Sequence, residues 1–586
     1  MDRKKPGLRI LRISGLNFIC SDDRIIFPAE HNMNKIIENP RNGPFRYIRG
    51  QIEKNRILLL AYFIFSLFFL ITRLPFFIHD SIVLLSPDYQ HYYMIVDQIH
   101  KGFMPIFIIR TPGYPLFLTL MFMFFKSNLA VIAVQNLLTF FCSLYFIFAV
   151  NKSVSRKFKY LPILAAIGLG AFISLSVHLC LDTALATESL YINMILIFFG
   201  SLFLAFFNTE RRYWIASGFS MAMVIVIRPS GLFLIPLFLA ILVFSLINAY
   251  PKKIILLFSA SFTIPLLLLC LYNFFSIGNF SISTFTEHAL ISFTSPFLEQ
   301  DPEYSPETNR AIEKSLNRLS PRKKSIIKNS WNTRQLSHIL HRHYNRNRRI
   351  IFQTLKSLED EDADNLYMKW RPVLNRIARD AIFKNPLVYM KFLYANIIQY
   401  FFKKKNIHFY HRLQERYRSV LLLKQRYLRF YKYRAPDTLR LYYKNDYIKT
   451  INPDFVKDLL KEYWKLNPLD DHQKQEVKNK TLKLRFLQRL HRDFLKAHQL
   501  LFHNKFWIFF FFTALIISSI RLITSRLRHR GTFLFFLLTA AALLHGIVIS
   551  MSSFSDARLS YPLDFIYYFS LLLFPMIWMK DDDETI

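Results

Sequence analysis

Long blocks of apolar residues, nearly free of charge, decide what this chain can fold into. The clear ones run Ile57 to Ile71, Asn128 to Val150, Tyr160 to Cys180, Ser189 to Phe207, Trp214 to Ile227, Leu232 to Asn248, Ile254 to Phe275, Phe506 to Ile523, Thr532 to Met551 and Tyr561 to Met579. A helix crossing a bilayer must cover about 30 Å of hydrocarbon at about 1.5 Å per residue. The blocks therefore predict about ten transmembrane helices, the first and fifth extended by flanking residues. The chain is 586 residues long and 52% hydrophobic, but its apolar side chains are gathered rather than spread as a soluble core would spread them. The expected class is an all-α polytopic membrane protein.

Residues 1–56 are polar and basic, with no apolar run and no small-residue cleavage site, so the first span reads as an uncleaved anchor. Cys20, Cys142, Cys180 and Cys270 are scattered without metal-ligand spacing, which predicts neither a disulfide framework nor a zinc site. Short basic loops mark the cytoplasmic side. They are Arg41 to Arg56, Lys152 to Lys159, Arg211-Arg212, Lys252-Lys253 and Arg521 to Arg530, and all fall on one face if each of the ten spans crosses once. Pro115 to Phe125 is then too short for a crossing and reads as a half-helix dipping into the outer leaflet. The opposite face receives Asp88, Arg110, the turn from Asp182 to Glu188, Arg228-Pro229, Asn273, Arg558 and the whole stretch Ser276 to Asn504. The expected division is 1–56 cytoplasmic extension, 57–299 transmembrane core, 300–504 extracytoplasmic insert, mainly helical, 505–579 C-terminal spans and 580–586 cytoplasmic tail.

The formal net charge of +36 exceeds what span anchoring needs, and much of it lies between Ser305 and Lys496. Nucleic acid, the usual partner of such basicity, is excluded by the predicted compartment. Basic residues alternate with Tyr, Phe and Leu at Tyr427 to Arg434 and Leu482 to Phe494, which fits helices on an anionic membrane surface or around an anionic acceptor. Solvated basic helices fit equally well. Pro386 to Phe402, followed by Lys403-Lys404-Lys405, looks like a span with a stop, but counting it would invert the last three helices, so an interfacial helix is expected there.

In the first loop, Ser86 can cap a helix that starts at Pro87, and Asp88 then lies in its first turn beside the positive end of the dipole. Tyr92, Ile95, Val96 and Ile99 form an apolar stripe that should lie on the membrane, Gln90, Asp97, Gln98 and Lys101 face away, and Gly102 ends the helix. On this pattern alone Asp88 is either a site carboxylate or only a helix-start acid. His91 and His178 read as bystanders.

Asp88, Tyr92, Val96, Ile99 and Gly102, followed by Arg110-Thr111-Pro112-Gly113-Tyr114-Pro115, resemble the first-loop signature of the GT-C integral-membrane glycosyltransferases, in the bacterial branch similar to protein mannosyltransferases and the lipid A aminoarabinose transferase. Thr187-Glu188-Ser189-Leu190-Tyr191 resembles the turn that opens a later helix of that family, and Arg228-Pro229-Ser230-Gly231 its break between helices. Asn273 with Gly278-Asn279-Phe280 resembles its exit into the large loop, and Arg558 with Pro562 its approach to the last helix, although Leu559 replaces the usual tyrosine. The resemblance covers Ile57 to Glu299 and Phe506 to Met579, and RTPGYP is its most specific part.

It implies a GT-C-type bundle with amphipathic juxtamembrane helices in the first outer loop, in a bacterial inner membrane with the site facing the periplasm or exterior. It implies transfer of a sugar, with inversion, from a polyprenyl-phosphate donor to a lipid, glycan or protein acceptor. Asp88 would be the general base and Glu188 a second acid that orients the acceptor, with Asp182 as its rival. Arg110, Arg228 and Arg558 would bind the lipid phosphate, while Tyr92, Tyr114, Asp182 and Asn273 would support the site. Any divalent metal would be held by Asp88 and Glu188. Read from the residues alone, Glu188 could be a plain helix-start acid and Arg228 a snorkelling anchor. A transporter or flippase, or a non-catalytic subunit of the same fold, stays open, although the charges lie at span ends and no two halves repeat.

Overall fold

The structure is a computed structural model that describes residues 9–13, 16–21, 24–26, 44–79, 84–85, 89–102, 110–125, 127–154, 158–174, 178, 182, 184–208, 210–283, 286–341, 343, 351, 366–402, 505–552 and 565–578. Helices dominate. Strand is confined, among these residues, to a small antiparallel sheet of β1 (Arg9–Ile13), β2 (Leu16–Ser21) and β3 (Arg24–Ile26), and to a two-residue parallel ladder of β4 (Leu84–Leu85) with β5 (Ala184–Leu185). The N-terminal sheet was not foreseen in a segment read only as polar and basic. Its first two strands are separated by Ser14-Gly15, the two-residue spacing of a tight hairpin.

The first helix, α1 (Pro44–His79), has 36 residues, far more than a crossing needs, and its apolar part is Asn55–Arg73. After β4 come α2 (Tyr89–His100) and α3 (Gly113–Phe125), then α4 (Asn128–Val154) and α5 (Leu161–Ile173). Following β5 are α6 (Thr187–Asn208) and α7 (Arg211–Ile227), with a 3-10 turn at Pro229–Phe233 leading into α8 (Leu234–Ile247) and then α9 (Lys252–Ile277). Among the described residues six helices are long and apolar enough to cross a membrane: Asn55–Arg73, Asn128–Ser153, Thr187–Asn208, Pro229–Ile247, Lys252–Ser276 and Arg530–Met551. Two expected spans are shortened in ways that can be traced. In the block Tyr160 to Cys180 the helix α5 ends after 13 residues, because the chain leaves it at Ser174 and the Arg73 guanidinium takes the Ile173 carbonyl at its end. The block Tyr561 to Met579 yields α17 (Phe565–Leu572) and a 3-10 turn, Phe574–Trp578, tightened at Pro575, which has no N–H to continue the ladder. The half-helix expected at Pro115 to Phe125 is the 13-residue α3.

Small residues let the helices approach. A Cβ on Gly218 of α7 would stand 2.5 Å from the Phe258 carbonyl of α9, so only glycine allows this contact. Aromatic rings fill the wider gaps, with Phe244 and Phe533 stacked at 3.8 Å between centroids. A second core, separate from the bundle's, joins α10 (Thr286–Thr294), α11 (Pro306–Leu316), α12 (Pro321–Asn329), α13 (Leu366–Lys384) and α14 (Pro386–Phe402) around Phe293, Phe297, Leu336, Leu340 and Phe392. The helix expected at Pro386 to Phe402 is therefore present. Its far end packs on α15 (Lys505–Thr524) and α16 (Arg530–Ser552), two turns inside the bundle. The aromatic and basic runs at Tyr427 to Arg434 and Leu482 to Phe494 lie outside the described residues.

The apolar stripe of α2, expected to lie on the membrane, is instead buried at Tyr92, Ile95 and Val96 against protein: Tyr92 meets Tyr114 of α3 at 4.9 Å and Tyr93 meets Phe122 at 5.2 Å. It faces protein, not lipid. Gln98, expected to face away, is also buried. Gly102 ends the helix at φ +75°, a conformation that suits glycine.

Candidate functional site

The first-loop motif lands on the break after α7. Thr111 donates its hydroxyl to the Ile227 carbonyl at 2.9 Å, one of the carbonyls the end of α7 leaves without a helical partner. Gly113 starts α3 so close to the break that a Cβ there would lie 2.8 Å from Ile227 Cα, which explains the glycine in RTPGYP. Tyr114, fully buried, donates to Gln135 Oε1 of α4 at 2.9 Å. The half-buried Arg110 holds its guanidinium 5.8 Å from the Tyr92 ring centroid. The ladder Leu84↔Ala184 and Leu85↔Leu185 ties the same loop to the strand that runs into Thr187-Glu188.

Glu188 and Arg228 face each other across this meeting point. Glu188, in the first turn of α6, is fully buried with Oε1 3.0 Å from Arg228 Nη1, and Arg228 keeps 14% of its side chain exposed. Arg228 stands between α7 and the 3-10 turn in extended backbone, φ −152° and ψ 127°. Its guanidinium lies 5.9 Å from the Tyr191 ring centroid, and Ser230 donates to the Tyr191 hydroxyl at 3.4 Å. A buried carboxylate thus stands in ion-pair contact with a partly open guanidinium, the group best suited to bind phosphate by paired hydrogen bonds.

Asp182 belongs to a different cluster. It is fully buried, with Oδ2 2.7 Å from Arg73 Nη2 and 3.1 Å from His178 Nδ1, and Oδ1 3.4 Å from the Thr139 hydroxyl. Gln135 and Asn136 both donate to its main-chain carbonyl, at 3.3 and 3.2 Å. His178 belongs to this cluster and not to the Glu188–Arg228 meeting point. Its Nδ1 lies 3.1 Å from both Arg73 Nη2 and Asp182 Oδ2 and cannot serve both. We assign Nδ1–H donating to the carboxylate, because the Arg73 nitrogen is itself a donor and cannot accept from it. Burial alone would raise the Asp182 carboxyl, but His178 and Arg73 outweigh it and hold it at about 2.

A carboxyl lowered from 3.8 contributes stability above that value and loses it as pH falls through the folded value. The wild type should therefore lose its stability advantage over Asp182→Asn between about pH 4 and pH 2. Thermal unfolding in detergent at pH 6, 4, 3 and 2 tests this, and a constant gap would remove the ion pair as its source.

Asn273 serves its own loop, donating to the Ser281 carbonyl at 2.7 Å while Gly278 turns at φ +67°. Asp88, Arg558, Pro562 and the expected cap at Ser86 lie outside the described residues. Among the described residues no three His, Cys, Asp or Glu gather as a metal site, and the Glu188 oxygen a cation would take already faces the Arg228 guanidinium. Arg73, Gln135 and Thr139 were missed in the sequence. Arg73 stands two residues beyond the apolar block that ends at Ile71, and a charge at the end of such a block needs a partner. Compared with models of protein families, with curated proteins and with solved structures, the chain matches none.

Proposed function

We propose that this chain is an inverting glycosyltransferase that moves a sugar from a polyprenyl-phosphate donor to a hydroxyl of a lipid, glycan or protein acceptor. The observation that supports it is the convergence of three segments distant in sequence, the loop at Arg110 to Pro115, the turn at Thr187 to Tyr191 and the break at Arg228 to Gly231, around the Glu188–Arg228 pair. In this reading Asp88 takes the acceptor hydroxyl's proton as its oxygen attacks the anomeric carbon. The bond from that carbon to the donor's phosphate oxygen breaks on the opposite side, and the polyprenyl phosphate leaves with the electron pair. Arg228, held in place by Glu188, stabilises the charge growing on the phosphate, together with Arg110 and Arg558. Glu188 then acts as a positioning residue for Arg228.

The ten-helix GT-C bundle is part of the same proposal. Leu161–Ile173, Arg211–Ile227, Lys505–Thr524 and the turn-broken Phe565–Trp578 would complete the six longer helices. So is the orientation, with residues 276–504 outside the cytoplasm of a bacterial cell. Fusions after Gln300 and Asn504 should be active as an exported phosphatase and silent as a cytoplasmic reporter. The reverse from both would put the site on the wrong side of the membrane for this chemistry.

Transfer by the purified protein tests the activity, with polyprenyl-phosphate sugars as donor and release of polyprenyl phosphate as readout. Arg228→Ala should lower turnover by about 10²-fold, in the range for losing one preorganised donor to a developing oxyanion. Arg228→Lys should restore part of it if charge matters more than the planar fork, and Glu188→Gln should raise KM for the donor. Wild-type rates in Arg228→Ala and Glu188→Gln would remove the pair from the site. Movement of donor lipid between leaflets without sugar transfer would make the chain a flippase.

A further inference from the structure

Two turns that touch at one end of the bundle carry positive charge and no negative charge. Residues 248–253, between α8 and α9, and 521–530, from the last turn of α15 to the start of α16, hold six lysines and arginines and no acid. Asn248 donates to the Leu527 carbonyl at 2.9 Å and so ties the turns together. Arg530 donates to the Phe206 carbonyl, near the end of α6, at 3.3 Å and lies 5.6 Å from the Tyr250 ring centroid. Lys252, Lys253, Arg526 and Arg528 stay exposed. Among the described residues no ion pair engages these four.

Both α8 and α15 close in the same way. The Tyr250 N–H donates to the Ser245 carbonyl and the Ala249 N–H to that of Leu246, while the Leu527 N–H donates to the Leu522 carbonyl and the Arg526 N–H to that of Ile523. This closure puts a residue in the left-handed region, where glycine is usual. Here the residues are Ala249 at φ 51°, Arg526 at 51° and Leu527 at 60°, the three non-glycine residues with positive φ among those described. Arg526 thus keeps a guanidinium where the backbone favours glycine, and strain of this kind gathers at sites that bind.

The helices that the turns join set their depth. Asn248 to Pro251 connect Pro229–Ile247 with Lys252–Ser276, and Arg530 opens Arg530–Met551, all three long and apolar enough to cross a membrane. A connection this short between crossing helices lies where hydrocarbon gives way to head groups. Next to the turns, on the helices themselves, Leu246, Leu256, Ile520 and Ile523 are exposed, Leu256 at 68% and Ile523 at 72%. Leu256 stands one helical turn from Lys252 and Lys253, on the same face. Charge at the turn and apolar surface beside it match a phosphate head group and its acyl chains. The acids Asp581 to Glu584 match the charge alone. They follow soon after Ile577, whose carbonyl accepts from Thr532 at 2.9 Å, but no apolar residue lies among them to cover the helices.

We propose that the two turns bind the phosphate of an anionic phospholipid, whose acyl chains lie along Leu256 and Ile523. The site is independent of the reaction the bundle performs. The test is native mass spectrometry of the full chain, released from detergent with increasing phosphatidylglycerol or with phosphatidylcholine of the same acyl chains. Phosphatidylglycerol should stay bound through release, and phosphatidylcholine should not. Lys252→Gln, Lys253→Gln and Arg528→Gln should each weaken phosphatidylglycerol binding about 5-fold, the worth of one basic residue near an anionic lipid. Arg526→Gly should weaken it as much yet unfold in detergent at no lower temperature, because glycine suits φ 51°. That variant separates loss of the lipid from loss of the fold. Equal binding of the two lipids, or wild-type affinity in all four variants, would overturn the proposal. Displacement of the lipid by inorganic phosphate at equal concentration would mark a free-phosphate site and overturn it as well. Binding that appears only when Asp581→Asn, Asp582→Asn, Asp583→Asn and Glu584→Gln are combined would assign the turns to the acidic segment instead, and would also overturn it.

Discussion

Arg73→Ala should cost about 3–5 kcal/mol of stability, the loss typical of breaking a buried ion pair from one side. Arg73 and Asp182 are both fully buried, and the guanidinium serves Asp182, the Ile173 carbonyl at the end of α5 and the Thr72 hydroxyl at once. Removing it leaves a buried carboxylate with His178 and Thr139 as its remaining side-chain partners, together with an open helix end. The cost arises from the charge left behind, so Arg73→Met combined with Asp182→Leu should recover much of what the single change loses. Unfolding of the detergent-solubilised variants measures both. An unchanged midpoint for Arg73→Ala would mean that the cluster does not hold α1 to the segment between α5 and β5.

The cluster also shows why the sequence could be read only in part. Apolar blocks locate helices well because lipid demands a long uncharged stretch whatever surrounds it. Thus α4, α6, α9 and α16 fall within a few residues of the blocks that predict them. Hydropathy does not locate helix ends, which depend on what satisfies the last carbonyls. Tyr160 to Cys180 was overextended because its stop is set by Ser174 and by Arg73, a residue far away in the sequence. The stripe on α2 was legible from its spacing, but its occupant was not: the same pattern serves a lipid surface and the neighbouring α3.

The candidate site divides in the same way. Arg110, Thr111, Gly113, Glu188 and Arg228 were each visible as motif residues, and Gly113 could be expected to mark a close approach. That Gly113 meets Ile227 and that Glu188 faces Arg228 are facts of tertiary packing, and no local spacing encodes them. Asp182 and Glu188 stand six residues apart and were interchangeable in the sequence. Their partners separate them, since Asp182 is closed off by Arg73 and His178 while Glu188 holds a guanidinium that remains partly open.

Asp88→Asn should abolish sugar transfer while leaving expression and membrane insertion intact. The amide keeps the size of the side chain and its ability to cap a helix start, but it cannot take a proton from the acceptor hydroxyl. A positioned general base contributes on the order of 10² to 10⁴ in rate, a loss that no change in donor concentration would hide. The assay is transfer from a polyprenyl-phosphate sugar by wild type and Asp88→Asn, purified side by side and matched in unfolding midpoint. The account predicts turnover by the wild type and a loss of at least about 10²-fold in the variant; transfer by Asp88→Asn at the wild-type rate would contradict it.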